Sequence, residues 1–393
     1  MEIIEKHMEQ VHEEDCQEIL AEDSEGDKAI EKLIVSLNVQ CVRSRFMGKN
    51  VNIDGLCSAL KEMKSMIGIG RVKESILANV CYLLSCKLDA TCLSPEKLHT
   101  VFMGEPGTGK TTMSIIFAKI LMSIGFGESP ENPRSLKEKI SEAVDILRTE
   151  YPSSCEKGVE VLSELVRTVE RRNIPSEVLE DESFVVASRI NFVAGYQGQT
   201  AQRTEDFLFR HDGKIIIIDE SYALCYGAED NYGREALDVI MSQMSSKENR
   251  SIFFFNGYND EIVNNLFGSQ RGMERRIHNV FFFDPYSPST LEKIFIRKAS
   301  KMGLVIDEKV KESFSSVISL FNVKANGGDM EKLSLRCKIL MVSATFADIV
   351  GMHPEADMPE ERVISPEIFT RAFNELFPKR ESSMVRSFSR SSG

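Results

Sequence analysis

Short apolar runs of strand length alternate with stretches of helical periodicity through the middle of the chain. The run 98–103 precedes a helical stretch at 111–124, and the run 214–219 precedes another at 234–246. Three more runs of strand length occur, at 183–188, 251–256 and 280–283, and a further helical stretch at 262–267. Because strands that alternate with helices form parallel sheets, the pattern predicts an α/β domain built on a parallel sheet.

Helical periodicity also dominates both flanks of this region. A short helix is predicted within 29–47, and two helices within 55–88, separated by a break at residues 67–70. After Phe283 the pattern becomes wholly helical, which predicts a small all-helical domain at 284–378. Its four predicted helices are 289–301, 307–321, 328–348 and 365–377.

About 55 residues separate the helix at 111–124 from the next predicted strand. Leu136, Ile140, Val144 and Leu147 recur at helical spacing, and a second such series, Val159, Leu162, Val166 and Val169, follows Pro152. We interpret 127–183 as an inserted helical hairpin, with an ordinary part of the core as the alternative. The α/β domain is therefore expected at 54–283, preceded by an N-terminal arm at 1–53 and followed, after the helical domain, by a disordered Ser/Arg-rich tail at 379–393.

Acidic charge is concentrated at the N-terminus. The 393 residues carry a net charge of −12, and residues 1–28 hold eleven Asp and Glu against Lys6 and Lys28. Such a segment is typically solvated or disordered, and a docking arm for a basic partner is the alternative. The remaining chain is near neutral and has no basic stripe, which argues against duplex DNA binding.

The cysteines and the apolar runs indicate the compartment. Nine cysteines are scattered without a C-x-x-C pair, which favours reduced thiols over a zinc site or disulfides. The first residues are acidic, and no apolar run approaches 18 residues. We therefore expect a soluble, cytoplasmic protein without a membrane partner.

A phosphate-binding loop follows the first predicted strand. It has the pattern G-x-x-x-x-G-K-[ST] and consists of Gly104, Glu105, Pro106, Gly107, Thr108, Gly109, Lys110 and Thr111, followed by Thr112 at the start of the helix. Glycines let backbone N–H groups surround a polyphosphate while the helix N-terminus adds partial positive charge. Lys110 is expected to contact the β- and γ-phosphates, and Thr111 to ligate Mg²⁺. The cofactors predicted are ATP and Mg²⁺.

Polar residues end two of the later strands. Asp219 and Glu220 follow four isoleucines, and Asn256 follows three phenylalanines, so all three are expected at the carboxyl edge of the sheet, where such sheets bind ligands. Asp219 can hold Mg²⁺ through water, Glu220 can polarise the attacking water, and Asn256 can orient water and the γ-phosphate. The alternatives are a plain strand end for the acidic pair and a turn Asn before Gly257.

Together these residues resemble the AAA+ ATPases, specifically the CbxX/CfqX branch that includes red-type Rubisco activase, and within it the AAA ATPases encoded by large DNA viruses. The resemblance covers roughly residues 60–375 and predicts an AAA+ P-loop domain followed by a helical lid. It rests on six further blocks: Met66-Ile67-Gly68 with Val72-Lys73-Glu74, Leu98 to Val101, Asp219 to Leu224, Asn256-Gly257-Tyr258, Gly272 to Arg276, and Gly327 to Leu333.

The resemblance implies roles for residues outside the phosphate loop. Ile67 and Gly68 would lie on the adenine side, and Arg276 would act in trans on ATP bound to a neighbouring subunit, with Arg275 as the fallback and a solvated surface pair as the alternative. Tyr196, within Ala194 to Thr200, would be the aromatic residue of a substrate-gripping pore loop, unless it is only a turn residue. A ring-shaped homo-oligomer, most simply a hexamer, is implied, located in the host cytoplasm or the virion if the source is viral.

Two features depart from the family pattern. The segment 127–183 is longer than is usual there, and Asn326-Gly327-Gly328-Asp329 lacks the Arg often found in the second sensor. The leading hypothesis is an ATP-hydrolysing, chaperone-like motor that remodels a protein substrate through a central pore. A nucleic-acid-directed motor and a nucleotide-gated assembly scaffold with slow turnover are the alternatives.

Overall fold

A computed structural model of the chain describes residues 24–89, 94–127, 184–196, 198–226, 229–246, 249–319, 326–351 and 362–377. Most of the acidic segment, the predicted helical hairpin and the Ser/Arg-rich tail lie outside the described residues. No helix in the described part of the chain is both long and apolar enough to span a membrane.

The sheet has five parallel strands, in the spatial order β2-β3-β4-β1-β5. They are β1 (Thr100–Gly104), β2 (Phe184–Ala187), β3 (Ile215–Ile218), β4 (Ile252–Gly257) and β5 (Asn279–Phe283). The predicted parallel sheet is confirmed. Because β1, β4 and β3 are consecutive neighbours, the phosphate loop and the residues after β3 emerge at one edge of the sheet.

Alternate side chains of each strand pack on opposite faces of the sheet. In β4, Phe254 joins one core cluster while Phe253 and Phe255 join the other, and all three are fully buried. Phe254 stacks on Phe117 from the helix after the phosphate loop, with ring centroids 5.4 Å apart. Such strands, covered on both faces, need continuous apolar sequence, which explains the Ile and Phe runs.

Ten helices, several of them short, lie before the last strand of the sheet in the described residues. They are α1 (Glu25–Asn38), α2 (Gln40–Arg45), α3 (Ile53–Ser65), α4 (Gly70–Leu88), α5 (Lys110–Ser123), α6 (Arg189–Phe192), α7 (Thr200–Arg210), α8 (Asn231–Ser245), α9 (Asn259–Glu261) and α10 (Arg271–Glu274). A π-helical segment, Ile262–Phe267, follows α9, and 3-10 turns occupy Pro95–Leu98 and Ser221–Leu224. The predicted break between α3 and α4 is confirmed.

Helix α1 packs into the core of the α/β domain, although the sequence places it in the N-terminal arm. Its Ile30 and Leu37 are buried in the cluster that covers one face of the sheet. Asp27 forms an ion pair of 2.5 Å with Lys73, which is buried and also donates to the carbonyls of Lys64 and Met66. The predicted single helix within 29–47 is two helices, because the backbone becomes extended at Val39. The proposed domain boundaries stay a prediction.

The lid follows β5 and has its own apolar core, centred on Phe295, Phe314 and Phe369. Its helices are α11 (Pro288–Lys301), α12 (Glu308–Ser319), α13 (Asn326–Gly351) and α14 (Pro366–Leu376). A short parallel pair that the periodicity does not predict, β6 (Val305–Ile306) and β7 (Val363–Ile364), joins the segments before α12 and α14.

Candidate active site

The loop between β1 and α5 has the backbone of a phosphate cradle. Gly107 and Gly109 have φ angles of 69° and 91°, in the left-handed region that favours glycine. At Gly104 a Cβ atom would lie 2.3 Å from the carbonyl oxygen of Phe283 on the neighbouring strand, so no larger residue fits there. These glycines keep the loop compact and leave its concave side free for a ligand.

Lys110 begins α5 and points back across the loop. Its Nζ donates to the carbonyl oxygens of Gly104, at 2.9 Å, and Glu105, at 2.8 Å. Burial lowers the pKa of this ammonium, while the nearby carboxylates of Glu220 and Asp219 partly offset that effect. Lys110 therefore provides a desolvated cation beside the cradle.

Four polar side chains meet at the carboxyl edge of β1, β3 and β4. Thr111 donates its hydroxyl to Asp219, with distances of 3.0 and 3.2 Å to the two carboxylate oxygens. Asn256 donates its amide to Ser114 Oγ at 2.9 Å and is 3.3 Å from Asp219 Oδ1. Asn256 belongs to β4 and not to a turn, and its Oδ1 has no hydrogen-bond partner although it is buried.

Glu220 lies next to this group in a left-handed conformation, with φ of 49° and ψ of 44°. A non-glycine residue rarely adopts these angles, and they occur often where function requires them. The side chain faces the cavity and accepts a short hydrogen bond from the hydroxyl of Tyr222. Desolvation by the surrounding protein, followed by repulsion from Asp219, raises the pKa of Glu220.

A cavity of about 420 Å³ lies beside the loop, and residues of the lid form part of its lining. Ile67 and Met66, from the segment between α3 and α4, line one wall, and Tyr286 and Ile294 of the lid region line the other. The phosphate-loop end is formed by Pro106, Gly107, Gly109, Lys110, Thr111 and Thr112, together with Glu220. The apolar walls suit the base of a nucleoside triphosphate, and the glycine cradle and Lys110 suit its phosphates.

Comparison with known proteins identifies the domain that contains this cavity. Residues 100–280 match the family described as ATPase family associated with various cellular activities, abbreviated AAA. The chain therefore carries an AAA domain.

Curated relatives share this region at low identity. The chain is 27% identical over 245 residues to the ESX-1 secretion system protein EccA1 of Mycolicibacterium smegmatis, which covers 61% of this chain and 33% of that protein. It is 25% identical to a chloroplastic ribulose bisphosphate carboxylase/oxygenase activase of Cyanidioschyzon merolae, over 61% of this chain and 62% of the relative. It is 22% identical to the chromosomal protein CbxX of Cupriavidus necator, over 83% of this chain and 90% of the relative. The match to EccA1 thus spans only a third of that protein.

Thr108 and Gly68, which were also predicted on the nucleotide side, do not line the cavity but lie next to residues that do. Thr108 is buried and donates its hydroxyl to the carbonyl of Glu105 at 2.8 Å. Gly68 has φ of 81°, and a Cβ atom there would lie 2.2 Å from Thr290 Cγ2 of the lid. Gly68 therefore permits the close approach of the Ile67 segment to α11.

Sequence reasoning missed an aromatic residue beside Lys110. The ring of Tyr258, directly after β4, lies 4.9 Å from Lys110 Nζ and stacks on Tyr222 with a centroid separation of 5.2 Å. A cation over an aromatic face is stabilised by the ring quadrupole. Tyr258 belongs to the block Asn256-Gly257-Tyr258 that contributes to the family resemblance, so the sequence held a signal for it.

The lid contributes cations that the sequence did not single out. Arg297, Lys298 and Lys301, in the last turns of α11, line the cavity. Lys298 pairs with Glu331 of α13 at 2.7 Å, and Arg297 donates to the carbonyl of Ser65. Basic residues in a last helical turn are common, so the sequence alone did not separate these from ordinary surface lysines.

The resemblance implies roles outside this cavity for two residues, Arg276 and Tyr196. Arg276 donates to the carbonyl of Gly272 at 2.7 Å and to the hydroxyl of Ser245. Tyr196 lies between α6 and α7 and is 74% exposed. Neither lines the cavity, and the roles that the resemblance implies for them stay predictions.

The residues present fit ATP and Mg²⁺. Thr111 and Asp219 supply adjacent hard oxygen donors, which Mg²⁺ prefers, and phosphate oxygens and water would complete its coordination. The glycine cradle accommodates phosphates without side-chain obstruction. Asn256 is fully buried and does not line the cavity, although its Oδ1 has no hydrogen-bond partner.

Proposed function

We propose that this chain is an ATP-hydrolysing AAA+ motor that remodels a protein substrate. One observation carries the proposal: three segments that are far apart in sequence bring their polar residues together beside one glycine cradle, and these residues are Lys110, Thr111, Asp219, Glu220 and Asn256. This set contains a phosphate-binding cation, oxygen donors for a metal ion, a base and a polar orienting group, as ATP hydrolysis requires.

Each residue has a separate task in hydrolysis. The N–H groups of the loop and Lys110 hold the β- and γ-phosphates. Thr111 and Asp219 would hold Mg²⁺, which neutralises charge on the phosphate oxygens when bound. Glu220 orients water and accepts its proton as the water oxygen bonds to the γ-phosphorus and the β–γ bridging oxygen leaves with ADP. Asn256 orients the same water or the γ-phosphate. The raised pKa of Glu220 makes it a better proton acceptor than an ordinary glutamate while it is ionised.

Assembly into a ring, most simply a hexamer, would complete the site. Arg276 would reach the ATP of the neighbouring subunit, where an arginine stabilises transition-state charge and raises turnover by about 10³ to 10⁵. Its half-buried position outside the chain's own cavity supports this role. We also place the chain in the CbxX/CfqX branch, which the match to CbxX over 83% of the chain supports. The similarity to viral ATPases and a location in the cytoplasm stay predictions.

A protein substrate is supported by the relatives and by Tyr196. One relative is named as an activase of another enzyme and another as part of a secretion system. Tyr196 exposes its ring between Gly195 and the left-handed Gly198, an arrangement that lets an aromatic side chain project into a pore and contact an extended polypeptide.

The test is ATP turnover by the purified chain, measured alone, with unfolded protein and with single-stranded DNA. Stimulation by unfolded protein is expected. Stimulation by DNA alone would indicate a nucleic-acid motor, and ATP binding without turnover would indicate a nucleotide-gated scaffold. Proteins that co-purify with an ATP-bound Glu220→Gln form would identify the substrate.

A further inference from the structure

The lid contacts the backbone of the phosphate loop directly. Asn326, the first residue of α13, donates its side-chain amide to the carbonyl of Pro106 at 3.0 Å. The N–H of Gly327 donates to the carbonyl of Gly107 at 3.1 Å, and the hydroxyl of Tyr286 donates to the carbonyl of Thr108 at 2.7 Å. We call these three hydrogen bonds the lid–loop contact.

The contact is built as a unit. Asn326 Oδ1 accepts a hydrogen bond of 3.0 Å from the backbone N–H of Tyr286. This bond holds Asn326 and Tyr286, the two residues whose side chains donate to the loop, next to each other. Asn326 is buried and has φ of 45°, a left-handed conformation that asparagine tolerates better than most residues. At Gly327 a Cβ atom would lie 2.9 Å from the carbonyl oxygen of Gly107, so the approach requires glycine.

Because peptide bonds are planar, hydrogen bonds to the loop carbonyls also orient the loop N–H groups that face the phosphate side. In a planar trans peptide the C=O of one residue and the N–H of the next point in opposite directions. When the lid holds the carbonyls of residues 106, 107 and 108, the N–H groups of residues 107, 108 and 109 are turned away from the lid–loop contact. Those N–H groups belong to the loop that binds phosphate.

We propose that Asn326 and Tyr286 are positioning residues that let the lid set the orientation of the phosphate-loop amides. The lid segment at 326–329 lacks an arginine, and this contact links lid position to nucleotide binding through the loop backbone. Linkage is reciprocal, so bound nucleotide also stabilises the lid–loop contact. The inference rests on the proposed nucleotide binding.

Two variants each remove one hydrogen bond of the lid–loop contact without adding charge. Tyr286→Phe deletes only the hydroxyl and keeps the ring that lines the cavity. Asn326→Gly keeps a residue that tolerates positive φ and removes both side-chain bonds. Ser334→Ala is the matched control, because it deletes a buried hydroxyl of the same helix that bonds only to the carbonyl of Met330.

The readouts are the Kd for ADP by calorimetry, at a temperature below each variant's Tm, and amide exchange of Gly327 without nucleotide. Tyr286→Phe and Asn326→Gly are each expected to raise Kd about fivefold, the effect of one typical hydrogen bond, and to speed exchange at Gly327. Ser334→Ala should change neither.

Kd values equal to wild type in both variants would overturn the inference even if their Tm falls, because a merely structural contact lowers Tm alone. Failure of the wild type to bind ADP would refute the proposed function instead. In that event, amide exchange at Gly327 tests whether the lid–loop contact exists in solution. Faster exchange in Tyr286→Phe than in wild type would support the contact, and unchanged exchange would overturn it.

Discussion

Lys110 and Glu220 face the same cavity but have separable tasks, since one contacts phosphates and the other water. We predict that Lys110→Ala abolishes ATP binding, whereas Glu220→Gln retains binding and loses turnover. Lys119→Ala is a suitable control, because this lysine lies on the same helix and pairs with Glu62 at the surface. ATP affinity by calorimetry and phosphate release check both variants. Equal ATP affinity in wild type and Lys110→Ala would refute the phosphate-loop assignment.

The ionisation of Glu220 predicts how kcat for ATP hydrolysis falls at low pH. Its pKa is raised by desolvation and by Asp219. Only the ionised carboxylate accepts a proton from water, so kcat should fall on acidification at a higher pH than an ordinary glutamate would give. The measurement is kcat at saturating ATP from pH 8 to pH 5. A flat profile over this range would contradict the assignment of Glu220 as the base.

At the scale of single residues, the motif positions were predictable because their spacing is local or their strands are distinctive. The lid–loop contact was not, because Pro106 and Asn326 are distant in sequence and their hydrogen bond depends on how the lid packs. Tyr258 and the cations of α11 were missed for the same reason, since only the folded chain places them around Lys110 and the cavity.

At the scale of elements, His99 joins the amino ends of β1 and β4. Its Nδ1 accepts the N–H of Phe253 at 3.1 Å, and its ring meets that of Phe253 edge-on at 5.4 Å. Burial, followed by the nearby His278, lowers the pKa of His99 to about 4. The imidazole is therefore held neutral where β1 and β4 begin.

This pKa predicts a loss of stability in acid. A histidine with a depressed folded-state pKa stabilises the fold above its unfolded pKa, near 6.5, and this contribution is lost as pH falls toward 4. The loss should approach about 3 kcal/mol at full titration. Denaturant unfolding of wild type and His99→Gln at pH 7 and pH 4.5 checks it. The variant should lose less stability than wild type over this interval, and equal losses would contradict the prediction.

The elements themselves were largely predictable from periodicity. All five strands lie within a few residues of their predicted positions, because buried parallel strands are continuous Ile, Val and Phe runs. Most of the longer helices do too, but α7 (Thr200–Arg210) was not predicted, and the single helix predicted within 29–47 is two helices. The β6 and β7 pair was missed, since two-residue strands carry no periodicity. The burial of α1 was missed because its acidic residues suggested a solvated arm, while Asp27 instead pairs with the buried Lys73.

At the scale of the whole molecule, a composite site between subunits makes a specific prediction. If Arg276 acts across an interface, subunits carrying Arg276→Ala and subunits carrying Lys110→Ala are each inactive alone. Mixed rings should regain part of the wild-type turnover, because some interfaces combine an intact Lys110 with an intact Arg276. Phosphate release by mixtures whose mixing is verified by mass checks this. Absence of any recovery in verified mixed rings would count against the trans role.

Tyr196 and Phe209 provide a matched comparison for substrate contact. Both aromatic side chains are 74% exposed, but Tyr196 lies on the loop between α6 and α7, whereas Phe209 lies near the end of α7. If the loop containing Tyr196 faces a pore, truncating Tyr196 removes an aromatic contact worth on the order of 1 kcal/mol in each subunit, repeated around the ring. Phe209→Ala removes equivalent exposed surface outside that loop.

We predict that Tyr196→Ala loses stimulation of turnover by unfolded protein and keeps basal turnover within a few-fold of wild type, because Tyr196 lies outside the nucleotide cavity. Tyr196→Phe should retain stimulation, since the ring and not the hydroxyl makes the apolar contact. Phe209→Ala should behave as wild type. Turnover measured with and without unfolded protein separates these outcomes. Normal stimulation in Tyr196→Ala would show that this residue is only part of a turn and that substrate is held elsewhere.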